Sequence, residues 1–487
     1  MAYLLQTKQG ALRGRDNGGI TAYLGVPYAK PPSGERRFGP PEPAEPWGGV
    51  RDATAFGPTA PKDDYIPMYV PLFPEVDIEG DDYLNLNIWT PGGGGLPVLV
   101  WIHGGAFTNG SNSVPEYDGT AFARDGVVFV GVNYRLGAEG FAYLDGAPAN
   151  RGLLDQIAAL QWVQDNIAAF GGDPGRVTVA GESAGAWCVQ TLLSMPRAKG
   201  LFQRAIAQSG GAQHVLTPET GRLVAADLAL RVNAEPTRES FARLSPATIA
   251  RGVRAVVEEV QTAPDPDKWG DLALSAQPFA PTVDGDVLPG PPLDGSDPEV
   301  ALLTGTTADE ARLILVASGA IDAIDEDTLY ASAAAYGLDA DRALAVYRAN
   351  RPDARPGDLL SAVVSDWYFR VPVVRSAEAR AQERGRSNTW IYRFDWAAPE
   401  LGSGHGVDIP FAFDTLDAPG LEARIGPEPP QSVADAFHAV WVAFVTTGDP
   451  GWAPYEPSAR TVGLITDTVT AVDDPAGAER VLWEGRR

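Results

Sequence analysis

VTVAGESAGAWCVQTLL, residues 177–193, is the stretch whose reading decides the fold. It opens with a short apolar run that suits a buried strand and continues into residues compatible with a helix. Between the two lies the pattern G-x-S-x-G: Gly181, Glu182, Ser183, Ala184, Gly185. A glycine on each side of the serine lets a strand turn sharply into a helix, because neighbouring backbone comes close where a side chain would collide. Such a turn lifts the serine hydroxyl clear of a sheet and presents it as a nucleophile. The stretch therefore predicts an α/β architecture with a serine at the end of a central strand.

Other short apolar runs stand at LNLNIW (84–89), LPVLVWI (96–102) and GVVFVGVNY (126–134), and further on at RAIAQS (204–209), ALLTG (301–305) and TWIYRF (389–394). Runs apolar on both faces belong in a mostly parallel sheet covered by helices. In GLLDQIAALQWVQDNIAAF (152–170), Leu154, Ile157, Leu160, Val163 and Ile167 recur at helical spacing. The expected fold class is α/β: a central, mostly parallel sheet flanked by helices. Residues 217–275 and 318–385 lack strand signals and read as helical insertions around the site, within one catalytic domain spanning 1–487. Residues 23–58 carry Pro31, Pro32, Pro40, Pro41, Pro43 and Pro46 among five aromatic residues. That mixture reads as irregular chain packed onto a core.

The chain has 487 residues, with 38 Lys and Arg against 63 Asp and Glu, a net charge of −25. Such a field repels phosphate backbones and anionic lipid, so neither nucleic acid nor a membrane surface is expected as partner. An apolar content of 44% with 12 Trp, 17 Phe and 15 Tyr excludes disorder for most of the length. One cysteine, Cys188, excludes an intramolecular disulfide. Four histidines (His103, His214, His405, His438) show no metal-ligand spacing, and GxxxxGK[ST] does not occur. No metal and no organic cofactor are therefore expected. The first residues lack a signal-peptide pattern and no apolar run reaches the roughly 18 residues of a membrane span. A cytoplasmic protein acting on a small molecule is expected, as a monomer or weak homo-oligomer.

A serine hydroxyl is a weak nucleophile, so it needs a base, and a developing oxyanion needs donors. WIHGGAF (101–107) ends an apolar run in Gly104 and Gly105, whose N–H groups can turn toward one point with that of Ala184. For the base, His103 ends the strand at those glycines and reads as structural, and His438 falls in a helical run. His214 follows a strand end. His405, in the Gly-rich loop LGSGHGVDIPF after the late strand, stands where the order Ser…acid…His requires it. GTTADEARL (305–313) offers Asp309 and Glu310 side by side as the third group, and the residues alone leave that choice open. An unperturbed imidazole, with a pKa of about 6.5, puts the acid limb of activity at roughly pH 6–7.

Ordered segments along nearly the whole chain resemble the type-B carboxylesterase/lipase family of α/β-hydrolases, which includes the cholinesterases. They are GVPYAKPPSGERRF, PWGGVRDATAFGP, DDYLNLNIWTP, WIHGGAF, VNYRLGAEGF, NRGLLDQIAALQWVQDNIAAFGGDP, GESAGA, AQSGG, HGVDIPFAF and TTGDP. The shorter bacterial members, assayed with p-nitrobenzyl or p-nitrophenyl esters, are the nearest in architecture. The resemblance implies an α/β-hydrolase fold and a serine carboxylesterase with Ser183 as nucleophile, Glu310 as acid and His405 as base. It further implies Gly104, Gly105 and Ala184 as oxyanion donors, Ser209 as support for the acid, and Glu182 as a buried acid near the site. Tyr83 stands where secreted relatives have a cysteine, so the disulfide closing their first long loop is absent. In this chain that loop, about residues 59–80, carries Pro61, Pro67, Pro71 and Pro74, which favour extended chain over a lid helix. Short- to medium-chain or aryl esters are the expected substrates. An amide or carbamate hydrolase with the same triad, and a non-catalytic binding protein on this fold, are the rival readings.

Overall fold

The computed structural model describes residues 3–384 and 387–486. Positions 1, 2, 385, 386 and 487 of the expected unit 1–487, and hence the last position of the insertion 318–385, lie outside the described residues. Among those described, thirteen strands join in one sheet. They are β1 (Tyr3–Gln6), β2 (Ala11–Asn17), β3 (Ile20–Pro27), β4 (Val50–Asp52), β5 (Asn85–Thr90), β6 (Leu96–Ile102) and β7 (Val128–Val132). The remainder are β8 (Gly172–Glu182), β9 (Arg204–Gln208), β10 (Ala301–Thr307), β11 (Thr389–Phe394), β12 (Thr461–Ile465) and β13 (Val469–Asp473). The order across the sheet is 1-2-3-5-7-6-8-9-10-11-12-13, with β4 pairing β2. From β7 to β12 every neighbour is parallel, and antiparallel strands close both ends. The expected mostly parallel sheet is what the structure has.

The apolar runs are continuous because each central strand is buried on both faces. Along β6, Val98, Val100 and Ile102 enter one core, while Leu99 and Trp101 enter the other. The first core is covered by α1 (Arg151–Asn166), through Leu153, Leu160 and Val163, and by α2 (Ala184–Leu192). Both insertions are helical as expected. The first contains α3 (Pro246–Thr262), whose Ile249, Val253, Val256 and Val260 are buried; the second contains five helical segments between Glu326 and Arg384. The opposite core is covered by α4 (Gln431–Thr447), with Phe437, Trp441 and Phe444.

Residues 23–58 depart from the expectation of irregular chain. β3 continues to Pro27, where it pairs with β5, and β4 forms a short parallel edge on β2. A proline is harmless at a strand's last residue, so the proline count hid the strand. β12 and β13 also go beyond the sequence reading. β13, Val-Thr-Ala-Val-Asp, is nearly all exposed and carries too little apolar signal to announce itself.

One buried ion pair ties these layers together. Arg135, just after β7, forks onto Asp155 of α1 through Nε and Nη2, each at 2.7 Å, while its Nη1 donates to the Gly39 carbonyl at 2.6 Å. Both side chains are essentially inaccessible to water. Burial works against the guanidinium's charge, yet Asp155 and its hydrogen bonds hold the Arg135 pKa above its ordinary value. Removing one partner of such a pair strands a buried charge, so Asp155→Ala should cost about 3–5 kcal/mol in denaturant unfolding. Replacing both by apolar residues of matched volume should cost less.

Candidate active site

The turn after β8 is as tight as its glycines require. Ser183 sits at φ 54°, ψ −120°, a conformation that strains any residue with a side chain. An added Cβ at Gly185 would lie 2.0 Å from the Ile102 carbonyl oxygen, and one at Gly181 would lie 2.5 Å from the Gly185 carbonyl carbon. Only glycine fits at either position. α2 starts at once, so the Ala184 N–H lies in its first turn, where backbone donors have no helical partner. Gly104 faces the same turn: a Cβ there would stand 2.7 Å from Glu182 Oε2 and 3.4 Å from Ser183 Cβ. Among the described residues, the N–H groups of Gly104, Gly105 and Ala184 donate to no protein atom.

Because β6, β8, β10 and β11 run parallel, the segments after them gather at one end of the sheet. Glu310 follows β10 and His405 lies in the loop after β11. His405 Nδ1 is 2.6 Å from Glu310 Oε2, and the His405 N–H donates to the Glu310 carbonyl at 3.1 Å. The structure thus distinguishes the two acids left open by the residues. Glu310 faces the imidazole, whereas Asp309 lies near Arg312 and the Gly402 turn. The second Glu310 oxygen accepts from the Thr307 N–H at 2.9 Å. Ser209, implied as the acid's support, makes no such bond: its hydroxyl is buried without a partner, and its N–H donates to the Gly305 carbonyl at 2.8 Å. The backbone amide does that work because Glu310 closes a short turn onto Thr307.

Ser183, Glu182, Gly105 and His405 line one cavity of about 340 Å³. Its walls include Tyr65 and Phe73 from the 59–80 loop, Trp187 from α2, Val253 and Val257 from α3, and Phe369. Phe369 belongs to a π-helical turn, Asp366–Arg370, and its ring centroid lies 4.8 Å from that of His405. A wide turn of this kind is a device for re-aiming a side chain at a site, and it leaves no mark in apolar periodicity. The 59–80 segment forms no α-helix, and a bond from the Thr59 N–H to the Ile78 carbonyl at 3.0 Å closes its base.

The other histidines serve elsewhere. His103 is buried, stacks on Tyr134 and has its pKa lowered to about 4 by burial, so it is neutral; its Nδ1 donates to the Gly104 carbonyl at 2.8 Å. His438, in α4, meets the Ala412 carbonyl and Asp125. His214 stacks on Trp187 and meets the Tyr368 ring at a tilt. Cys188 is a buried thiol pushed up to about 12 by burial, which makes it unreactive.

Three buried acids surround His405. Glu182 Oε1 is 3.2 Å from Nε2, Glu310 holds Nδ1, and Asp408 lies close behind. Burial alone would lower the imidazole's pKa, but Glu182 and Glu310 outweigh it and raise the value to about 9. Burial pushes Glu182 up to about 8, with Asp408 and Glu310 adding to it and His405 opposing. The two face each other and titrate as a pair. A base must be neutral, and a raised pKa keeps it protonated to higher pH. The acid limb of kcat/KM should therefore lie above the unperturbed 6.5, not at it. Glu182→Gln removes one facing charge and should move that limb down by about one pH unit, as read from a pH–rate profile.

Comparison with known proteins accounts for this geometry. Residues 2–481 match the model of the carboxylesterase family. The chain is 35% identical to a para-nitrobenzyl esterase of Bacillus subtilis, covering 98% of this chain and 97% of that one. It is 36% identical to a phenmedipham hydrolase of Pseudarthrobacter oxydans, covering 92% and 90%. The solved carboxylesterase EST55 of Geobacillus stearothermophilus superposes with a TM-score of 0.85 at 35% identity, over 99% of this chain and 100% of that one. These structural neighbours have the α/β-hydrolase fold, with the same parallel sheet and flanking helices. With sequence and architecture matched over nearly its whole length, the chain belongs to the carboxylesterase family, a family of carboxylic ester hydrolases.

Proposed function

We propose that Ser183, His405 and Glu310 form the catalytic triad and that the cavity takes short- to medium-chain or aryl carboxylic esters. The observation that carries this reading is the 2.6 Å contact of Glu310 with Nδ1 of His405, on the cavity where the strained Ser183 opens. The Ser183 oxygen attacks the ester carbonyl carbon while His405 Nε2 takes its proton. Glu310 keeps the proton on Nδ1 and stabilises the imidazolium. The N–H groups of Gly104, Gly105 and Ala184 receive the oxyanion. The imidazolium then gives its proton to the leaving alcohol, and the acyl group stays on Ser183. Water attacks that acyl-enzyme with His405 again as base, and the acid leaves. Glu182 Oε1, 3.2 Å from Nε2, faces the nitrogen of His405 that takes the Ser183 proton.

The aromatic walls, Tyr65, Phe73, Trp187 and Phe369, favour flat apolar groups. A second reading, hydrolysis of aryl carbamates, is favoured by the 36% identity to a phenmedipham hydrolase, since a carbamate carbonyl meets the same triad. We further propose one catalytic domain, acting as a monomer or weak homo-oligomer in the cytoplasm; the single, buried Cys188 suits that reducing compartment. Among the described residues, no helix is long and apolar enough to cross a membrane.

Ser183→Ala and His405→Ala should each lower kcat by about 10³–10⁶-fold, and the double variant should be no worse, because the residues act as a unit. Glu310→Gln should be nearly as damaging and Asp309→Asn far milder; the reverse order would overturn the acid assignment. A panel of p-nitrophenyl esters of rising chain length, with aryl carbamates beside them, should show rates that saturate below each ester's solubility limit. A jump in rate as tributyrin passes that limit would show interfacial activation and displace the esterase reading.

A further inference from the structure

Downstream of β6 the chain makes an unusual loop. Gly105, Ala106, Phe107 and Gly110 all have φ between 54° and 108°. Ordinary residues resist that region by roughly 1–2 kcal/mol each, so other contacts must hold the loop. Two come from within it, where the Thr108 and Asn109 N–H groups donate to the Gly105 carbonyl, and another from the segment after β7, where Gly137 N–H donates to the Phe107 carbonyl. The remaining ones come from the 59–80 segment. Glu75, on the 59–80 segment, accepts on Oε2 from the Asn109 side-chain amide at 3.1 Å and from the Gly110 N–H at 3.3 Å. The same Asn109 amide donates to the Asp63 carbonyl at 2.8 Å. Lys62 stands 3.6 Å from Glu75 Oε1 with its side chain only 2% exposed, and donates to the Val76 carbonyl at 2.9 Å.

The consequence lies in one peptide plane. The Gly104 carbonyl and the Gly105 N–H belong to the same rigid unit, so fixing one aims the other. His103 Nδ1 donates to that carbonyl at 2.8 Å. Gly110 packs beside this bond: a Cβ there would lie 2.6 Å from the Gly104 oxygen and 2.7 Å from His103 Nδ1. Glu75 holds Gly110 by its N–H, and so keeps it packed against the bond that fixes this plane.

We propose that Glu75 is a positioning residue for the oxyanion site, strapping the 104–110 loop so that the Gly105 N–H stays aimed at the reacting oxygen. The proposal rests on the assignment of Gly104, Gly105 and Ala184 as oxyanion donors. Glu75 touches no substrate and acts only through Asn109 and Gly110.

The test compares Glu75→Gln, which keeps an oxygen acceptor, with Glu75→Leu, which keeps the bulk and loses the acceptor. Each is assayed on a p-nitrophenyl ester and against a trifluoromethyl ketone and its methyl ketone parent. The trifluoromethyl ketone adds to the serine and places an oxyanion on the donors, whereas the methyl ketone scarcely does. Glu75→Leu should lower kcat on the order of tenfold, with KM within about twofold, and weaken the trifluoromethyl ketone by a similar factor. Glu75→Gln should restore most of both. Should Glu75→Leu fail to fold, Asn109→Ser, too short to reach Glu75, should give a smaller loss with the same kcat–KM split. A change in KM alone, with kcat and ketone affinity kept, would reduce Glu75 to a wall support and overturn the proposal. Equal binding of the two ketones to the unmodified enzyme would instead defeat the oxyanion assignment itself.

Discussion

The closest backbone approach in the site is between Gly185 and the Ile102 carbonyl, where a single Cβ would come within 2.0 Å. That contact sets the angle at which α2 leaves β8. It also sets what faces Ser183. Ile102 pairs with Gly181 in parallel register, so two residues further along each chain Gly104 comes level with Ser183. Gly104 and Ser183 need no separate device to find each other. They are aligned by a strand register and a missing side chain.

The charged half of the site follows from the next strands of the same ladder. β9 lies between β8 and β10, and the acid turn after β10 reaches His405 from the far side. The imidazole is then enclosed by Glu182, Glu310 and Asp408 with little water to screen them. Such an arrangement stabilises an imidazolium strongly, which suits the charged intermediate of acyl transfer. The cost is an imidazole that stays protonated further up the pH scale.

The sheet, the nucleophile turn and α1 were legible in the sequence because each is governed by local pattern. Continuous apolar runs mark strands buried on both faces, and paired glycines mark a turn no other residue can make. His405 was legible through chain order. The choice between Asp309 and Glu310 was not readable from spacing, since it depends on which of two adjacent side chains faces a loop 95 residues away. Thr307 as the acid's support was equally hidden, because a backbone N–H leaves no signature in the side-chain sequence. Phe369 was missed because a π-turn shifts its direction. Glu75 was missed because it lies in a segment whose prolines say only that it is extended. β13 escaped because tertiary pairing, not its own composition, makes it a strand.

The strand order also divides the molecule into regions of unequal mechanical consequence. β8 lies six ladder steps from β1 and five from β13. At a spacing of about 4.8 Å per step, the outermost strands are roughly 25–30 Å from the serine. β1 and β13 are also the strands with the largest share of exposed side chains, and each pairs with a single neighbour. Local opening of the sheet therefore begins at its margins, where each strand is held on one side only. Opening at a margin leaves the register of β6 and β8 several strands away, so the sheet's breadth sets Ser183 apart from its edges.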